Sequence, residues 1–178
     1  MKRLFIILPL VLCIMISCRD KQAISELEKL KAQVELEEQN KALVMIFFEE
    51  INNRNDQIFK KLCAVDYKWY LPSANPYPMS REEELESIKT IWQGFPDINW
   101  TIEEMIAEVD IVTIRFLTTG THKEEWNGIP ASGIKFETGG IGIIHIENGK
   151  IVEIREDVDL LGMMQQLGME LQMKDTGK

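Results

Sequence analysis

Residues 134–158, IKFETGGIGIIHIENGKIVEIREDV, decide the fold. The segment is rich in β-branched residues on both sides of Asn148-Gly149, the strongest short hairpin signal there is. Two strands are therefore predicted, Ile134–Glu147 and Lys150–Val158, joined by a tight turn. Upstream, Ile98–Ala107 and Ile111–Thr121 show the same period of two across a turn at Glu108-Val109-Asp110. Four consecutive strands with short connections make an antiparallel meander.

Strand alternation sorts the side chains. On the last strand Val152, Ile154, Glu156 and Val158 share one face, while Ile151, Glu153, Arg155 and Asp157 share the other. The first face is apolar except for Glu156. A carboxylate there is costly unless paired or neutralised, and desolvation raises its pKa toward a useful acid or base. The alternative is a rim position, solvated or paired with a nearby cation. On the preceding strand Ile134, Phe136, Thr138, Gly140, Gly142 and Ile144 face inward, and the two glycines mark a bend or a ligand's approach. Thr138, Glu137 and Arg115 are polar neighbours in this scheme.

Before the meander the period is helical. Leu43, Ile46, Phe47 and Ile51 form one face, ended by the turn-forming run Asn52–Asp56. Ile58, Phe59, Leu62 and Cys63 suggest a short second helix, and Asp66–Leu71 an extended segment. Ser80 with Glu83 makes a capping box for a helix carrying Leu85, Ile88, Ile91 and Trp92 as far as Gly94. A last helix is expected over Leu160–Met173. Helices followed by a meander indicate an α+β class, with helices on one face of a curved sheet.

The segment 119–133, TGTHKEEWNGIPASG, is densest in special residues. His122 near a strand end reads either as a general base or ligand donor, or as a residue pinning the loop. Trp126, Trp92, Trp69 and Tyr70 read as walls and core. Cys63 reads as a small core residue. Two histidines and no close cysteine pair leave no metal-ligand constellation.

The amino-terminal stretch has its own logic. Lys2-Arg3 precedes an apolar run, Leu4–Ile16, shorter than the ~20 residues of a spanning helix. Met15-Ile16-Ser17-Cys18 resembles a bacterial lipobox. The expectation is a signal peptide over 1–17, acylation of Cys18, a helical tether over 18–39, a domain over 40–173 and a tail over 174–178. The alternative is an uncleaved anchor helix. Lys2 and Arg3 are the only charges in that leader, so removal takes the net charge from −9 to −11. So acidic a chain lacks the basic footprint of nucleic-acid binders. The lipid chain would hold it to a bacterial envelope membrane, its domain outside the cytoplasm.

Several runs together carry a family resemblance. GTHKEEWNGIPASG (120–133) and NGKIVEIREDVDLLGMMQQLG (148–168) resemble the SnoaL-like polyketide cyclases, or ester cyclases, of the nuclear-transport-factor-2-like superfamily. NKALVMIFFEEINNRN (40–55) and GFPDINWTIEEMIAEVDIVTIRF (94–116) fit the same layout. The resemblance implies a cone-shaped α+β barrel, a curved antiparallel sheet wrapped by helices around an apolar cavity, often as a homodimer. It also implies a carboxylate on the last strand acting as acid and base for an aldol ring closure, without metal or cofactor. That position is Glu156, where the family usually has aspartate. The family often has a histidine where this chain has Tyr70, and its cyclases a strand histidine where this chain has Gly142. His122 and Asp159 match recurrent family residues, and Asp159 also suits the N-cap of the last helix.

The expected site is thus Glu156 and His122 as catalytic groups, with Tyr70, Trp92, Trp126, Phe136 and Asp159 around a small hydrophobic ligand. The alternatives are a non-catalytic lipoprotein binding a hydrophobic molecule or partner, and a purely structural envelope protein.

Overall fold

The computed structural model describes residues 4–170, with side chains from Lys21 onward. The Cys18 side chain, where acylation is expected, and the tail 174–178 lie outside what is described. The elements run α1 (Leu4–Asn52), α2 (Gln57–Leu62), β1 (Cys63–Tyr70), α3 (Arg81–Gly94), β2 (Asn99–Glu108), β3 (Ile111–Thr121), β4 (Lys135–Glu147), β5 (Lys150–Val158) and α4 (Leu160–Gln166).

The meander is present as expected. β2, β3, β4 and β5 pair antiparallel in sequence, and β1 joins beyond β5, parallel to it. The strand carrying Glu156 is therefore interior, with partners on both sides. The five strands form a curved sheet whose concave face is closed by α1, α3 and α4, the cone of an α+β barrel. Phe47, Phe59, Phe116, Ile114, Ile144 and Ile151 are its fully buried centre.

Several details differ from the expectations. Cys63 opens β1 instead of closing α2, because its backbone is already extended. Ile151 is buried, although alternation puts it on the outer face. The register steps from His145↔Glu153 to Ile146↔Ile151, leaving Val152 as the extra residue of a β-bulge that exchanges faces before it. Ile134 precedes β4 and is exposed. The last helix ends at Gln166, because Gly168 takes φ +89° and stops it.

The expected tether and the first domain helix are one element, α1. No glycine or proline interrupts residues 21–52. The side chains of Lys21–Leu36 are exposed, Ile24, Leu27, Leu30 and Val34 among them. No described helix is long and apolar enough to cross a membrane. First contact with the domain comes at the β2–β3 turn, where Glu37 accepts from the Val109 N–H and Asn40 donates to its carbonyl at 2.8 Å. Val109 has φ 54°, a conformation uncommon for a β-branched residue, so these bonds hold a strained turn. Asn40→Ala should cost about 1–2 kcal/mol, the range for a lost buried hydrogen bond, as read from urea unfolding.

Ser80 caps α3 as expected. Its hydroxyl accepts from the Glu83 N–H, and the Glu83 carboxylate accepts from the Ser80 N–H at 2.7 Å. The cap sets the start of α3 and so the direction in which Glu84, the next residue, points.

Candidate active site

A cavity of about 110 Å³ opens between the sheet and the helices. α1 supplies Phe47, Phe48 and Ile51, and α3 supplies Glu84, Ile88 and Ile91. The sheet adds Trp69, Trp100, Phe116, Thr118, Phe136, Thr138, Ile154, Glu156 and Val158. No lysine, arginine or histidine among the described residues borders it.

Glu156 enters because β5 resumes regular alternation after the Val152 bulge, which brings Ile154, Glu156 and Val158 onto the concave face. Trp69, on the neighbouring β1, donates its indole Nε1–H to Glu156 Oε2 at 2.8 Å. Burial pushes the carboxyl up to about 7; the Trp69 bond opposes this by stabilising the ionised form, and Asp157 adds a smaller upward push.

A second carboxyl faces the same space. Glu84 is 3 % exposed, and its Oε2 has no hydrogen-bond partner. Burial pushes it up to about 8; the adjoining Tyr67 hydroxyl holds it down somewhat, and the charge of Glu156 raises it. Tyr67 itself is driven upward by burial and then by Glu84. The Tyr67 oxygen reaches no formed hydrogen bond, so it adjoins Glu84 without satisfying it.

The structure brings together Glu156, Trp126 and Phe136 from the expected set. His122 lies off the cavity, fully buried behind Phe95, with ring centroids 5.0 Å apart. Its Nδ1 is 3.3 Å from the Ser132 hydroxyl, and its backbone bonds to Ile134 and Gly133. That is the loop-pinning arrangement. Tyr70 lies on the outer side, its ring under the Arg155 guanidinium at 3.9 Å. Trp92 packs behind the wall, with Arg54 5.6 Å from its ring. Asp159 caps α4, its Oδ1 accepting from the Gly162 N–H at 2.8 Å, while its carbonyl accepts from Thr138. Glu137 is exposed, and Arg115 pairs outside with Glu103 and Glu104.

Alternation and motif together miss Glu84, and they take Trp69 for wall instead of donor. Glu84 stands four residues before Ile88 and seven before Ile91, the spacing of one helical face, and that is the available signal. Two carboxyls thus line one apolar space, and only Glu156 is given a strong donor. Such a pair is suited to moving protons.

No curated protein matches the chain in sequence. Among solved structures, AclR from Streptomyces galilaeus, a candidate hydroxylase, superposes with a TM-score of 0.67 at 21% identity, covering 74% of this chain and 97% of its own. IdmH from Streptomyces antibioticus, a candidate polyketide cyclase, gives 0.66 at 26% identity, covering 73% and 99%. TsrD from Streptomyces laurentii gives 0.65 at 26% identity, covering 73% and 95%. The sequence model of the SnoaL-like polyketide cyclases matches residues 42–167, which span the sheet, the cavity walls, the buried Glu84 and the half-buried Glu156. The chain belongs to the SnoaL-like polyketide cyclase family.

Proposed function

We propose that this protein is a lipid-anchored, cofactor-free acid–base enzyme, in which Glu156 moves a proton next to the carbonyl of a small neutral compound. The observation that carries this reading is the Glu156 carboxyl, enclosed among aromatic and aliphatic side chains and held by one indole N–H. A carboxylate with a pKa near the working pH is an efficient proton acceptor, because the free base is present and still basic. Trp69 fixes its direction, leaving the other oxygen for substrate.

The volume limits the substrate. A dry cavity of roughly 150 Å³ lined by Leu, Ile and Phe holds benzene. A space of about 110 Å³ therefore suits one small ring or a short chain. Multi-ring polyketides exceed it unless the walls part, so enolisation, isomerisation or a small ring closure fits better. His122 and Tyr70 do not border the cavity, and orientation of the carbonyl falls to other groups.

The anchor is a second part of the proposal, supported by the lipobox-like Met15–Cys18 and by a stalk that is exposed up to Leu36. Metabolic labelling with an alkyne fatty acid should mark the full-length protein in a bacterial host, and Cys18→Ser should remove the label. Persistent labelling of that variant would exclude acylation at this cysteine. For the chemistry, loss of α-protons from cyclohexanone in deuterated buffer, followed by proton NMR, is the direct probe. The protein should accelerate exchange, and Glu156→Gln should lower the rate by about 10²–10⁴, the usual contribution of a general base. Equal rates for the two proteins would eliminate Glu156 as the base.

A further inference from the structure

Glu84 has no part in the reaction described so far, yet it is the more enclosed of the two carboxyls lining the cavity. It sits on α3, opposite the sheet, while Glu156 sits on β5, so a ligand lying between helix and sheet meets both. Their surroundings differ in kind. The Trp69 N–H donates to Glu156 and favours its ionised form. Glu84 Oε2 has no formed hydrogen bond, the adjoining Tyr67 hydroxyl offsets its burial only in part, and the ionisable groups facing Glu84 are Tyr67 and Cys63 from β1 and Glu156 from β5. None of these supplies a positive charge. An unpartnered, buried carboxyl oxygen beside an anchored carboxylate is stable only as the acid, and an acid facing a cavity is a hydrogen-bond donor to whatever fills it.

We propose that Glu84 is a second catalytic residue, a proton donor to the substrate's carbonyl oxygen, working opposite Glu156 on neutral carbonyl compounds and not on anions. This rests on the reading of Glu156 as the base. In the forward step the Glu156 carboxylate takes a proton from the carbon next to the carbonyl. The C–H electron pair becomes the new C=C bond, the C=O π pair moves to oxygen, and that oxygen takes the proton of Glu84. The product is a neutral enol facing a protonated Glu156 and an ionised Glu84. Return of the Glu156 proton to a different carbon, and of the enol proton to Glu84, leaves the substrate isomerised; where Glu156 first trades its proton with solvent, return to the same carbon leaves the substrate exchanged. The negative charge passes from Glu156 to Glu84 and back, so the substrate itself never carries it. An anionic ligand would put a second negative charge beside the Glu156 carboxylate with no cation to meet it, which selects against carboxylates and phosphates.

The same cyclohexanone exchange assay separates the two roles. In the wild-type protein the rate should rise as Glu156 ionises, near pH 7, and fall again as Glu84 loses its proton, near pH 8. Glu84→Gln keeps the shape and an N–H donor but no transferable proton. It should lower the turnover rate by about 10²-fold, change the cyclohexanone KM less, and remove the high-pH fall. Cyclohexanecarboxylate should not inhibit at concentrations where cyclohexanol does. Full activity and an unchanged pH profile in Glu84→Gln, with Glu156→Gln inactive, would overturn the pairing and leave the base in place. Loss in Glu84→Gln but not in Glu156→Gln, or no acceleration by the wild type, would remove the base reading and the pairing with it. Should Glu84→Gln fail to fold, the wild-type profile decides. A rate that stays level above about pH 9 contradicts a protonated partner. Inhibition by the carboxylate as strong as by the alcohol would refute the restriction to neutral ligands.

Discussion

Raising the pH from about 5 to about 9 should lower the melting temperature of this protein by roughly 10 °C or more. Glu84 and Glu156 are held at about 8 and about 7 in the fold against 4.5 in the free chain. Between those values the folded state binds protons that the unfolded state has released, so stability falls as pH rises. The contribution is complete below about pH 4.5 and is lost once both groups ionise, by about pH 8. Each tenfold gain in proton affinity on folding is worth about 1.4 kcal/mol, which puts the pair on the order of 5 kcal/mol after relaxation around the charges. At roughly 3 °C per kcal/mol for a chain of this size, the fall is easily measured by calorimetry. Asp97, Asp157, Glu82 and Glu83 are held below their usual range by hydrogen bonds, and they act in the opposite direction, as pH drops through the acid range. They are ionised in both states above about pH 5 and add no slope there. The double variant Glu84→Gln with Glu156→Gln should melt at nearly constant temperature across the window, and above the wild type at its alkaline end. A wild-type protein as stable at the alkaline end as at the acid end would mean that the two carboxyls are not enclosed as described.

The second large effect comes from replacing two glycines with the same residue and opposite outcomes. A methyl at Gly140 would stand 2.4 Å from Phe116 Cζ and 3.0 Å from the Asp157 carbonyl oxygen. Phe116 is fully buried and lines the cavity, so it has nowhere to retreat without filling that space. Gly140→Ala should therefore cost about 3 kcal/mol, near the upper end for overpacking, and lower the midpoint of urea unfolding accordingly. At Gly142 the nearest atoms are Ile114 Cγ1 at 3.4 Å and Glu156 Cγ at 3.7 Å, which is ordinary contact. Gly142→Ala should be neutral, or stabilising by up to about 1 kcal/mol, because a strand glycine carries an entropy cost that alanine reduces. Equal midpoints for the two variants would show that the Phe116 ring does not lie over Gly140.

These glycines show how far the sequence can be read. Alternation places both on the inner face and suggests a bend or a ligand's approach, and they do lie there. It cannot say which of them touches an aromatic ring, since that depends on a neighbouring strand. The Asn148-Gly149 turn, the Ser80 cap and the inward Glu156 are legible because each rests on local chemistry within a few residues. The Val152 bulge is not, since one extra residue leaves the composition of a strand unchanged while inverting its faces. The parallel pairing of β1 with β5 joins segments far apart in the chain and has no local trace. Glu84 is hidden in Arg81-Glu82-Glu83-Glu84, an acidic first turn of the sort that usually only complements a helix dipole. His122 is drawn toward the site by its neighbours in sequence, but in space Phe95 stands between.

The unbroken α1 has a consequence for orientation. Residues 21–40 of a straight helix extend about 29 Å, and at 3.6 residues per turn each added residue turns everything beyond it by about 100°. With Glu37 and Asn40 fastened to the Val109 turn, the proposed anchor would mount the domain on a mast, not hang it on a leash. The compass heading of the cavity mouth is therefore set by the number of residues in the shaft.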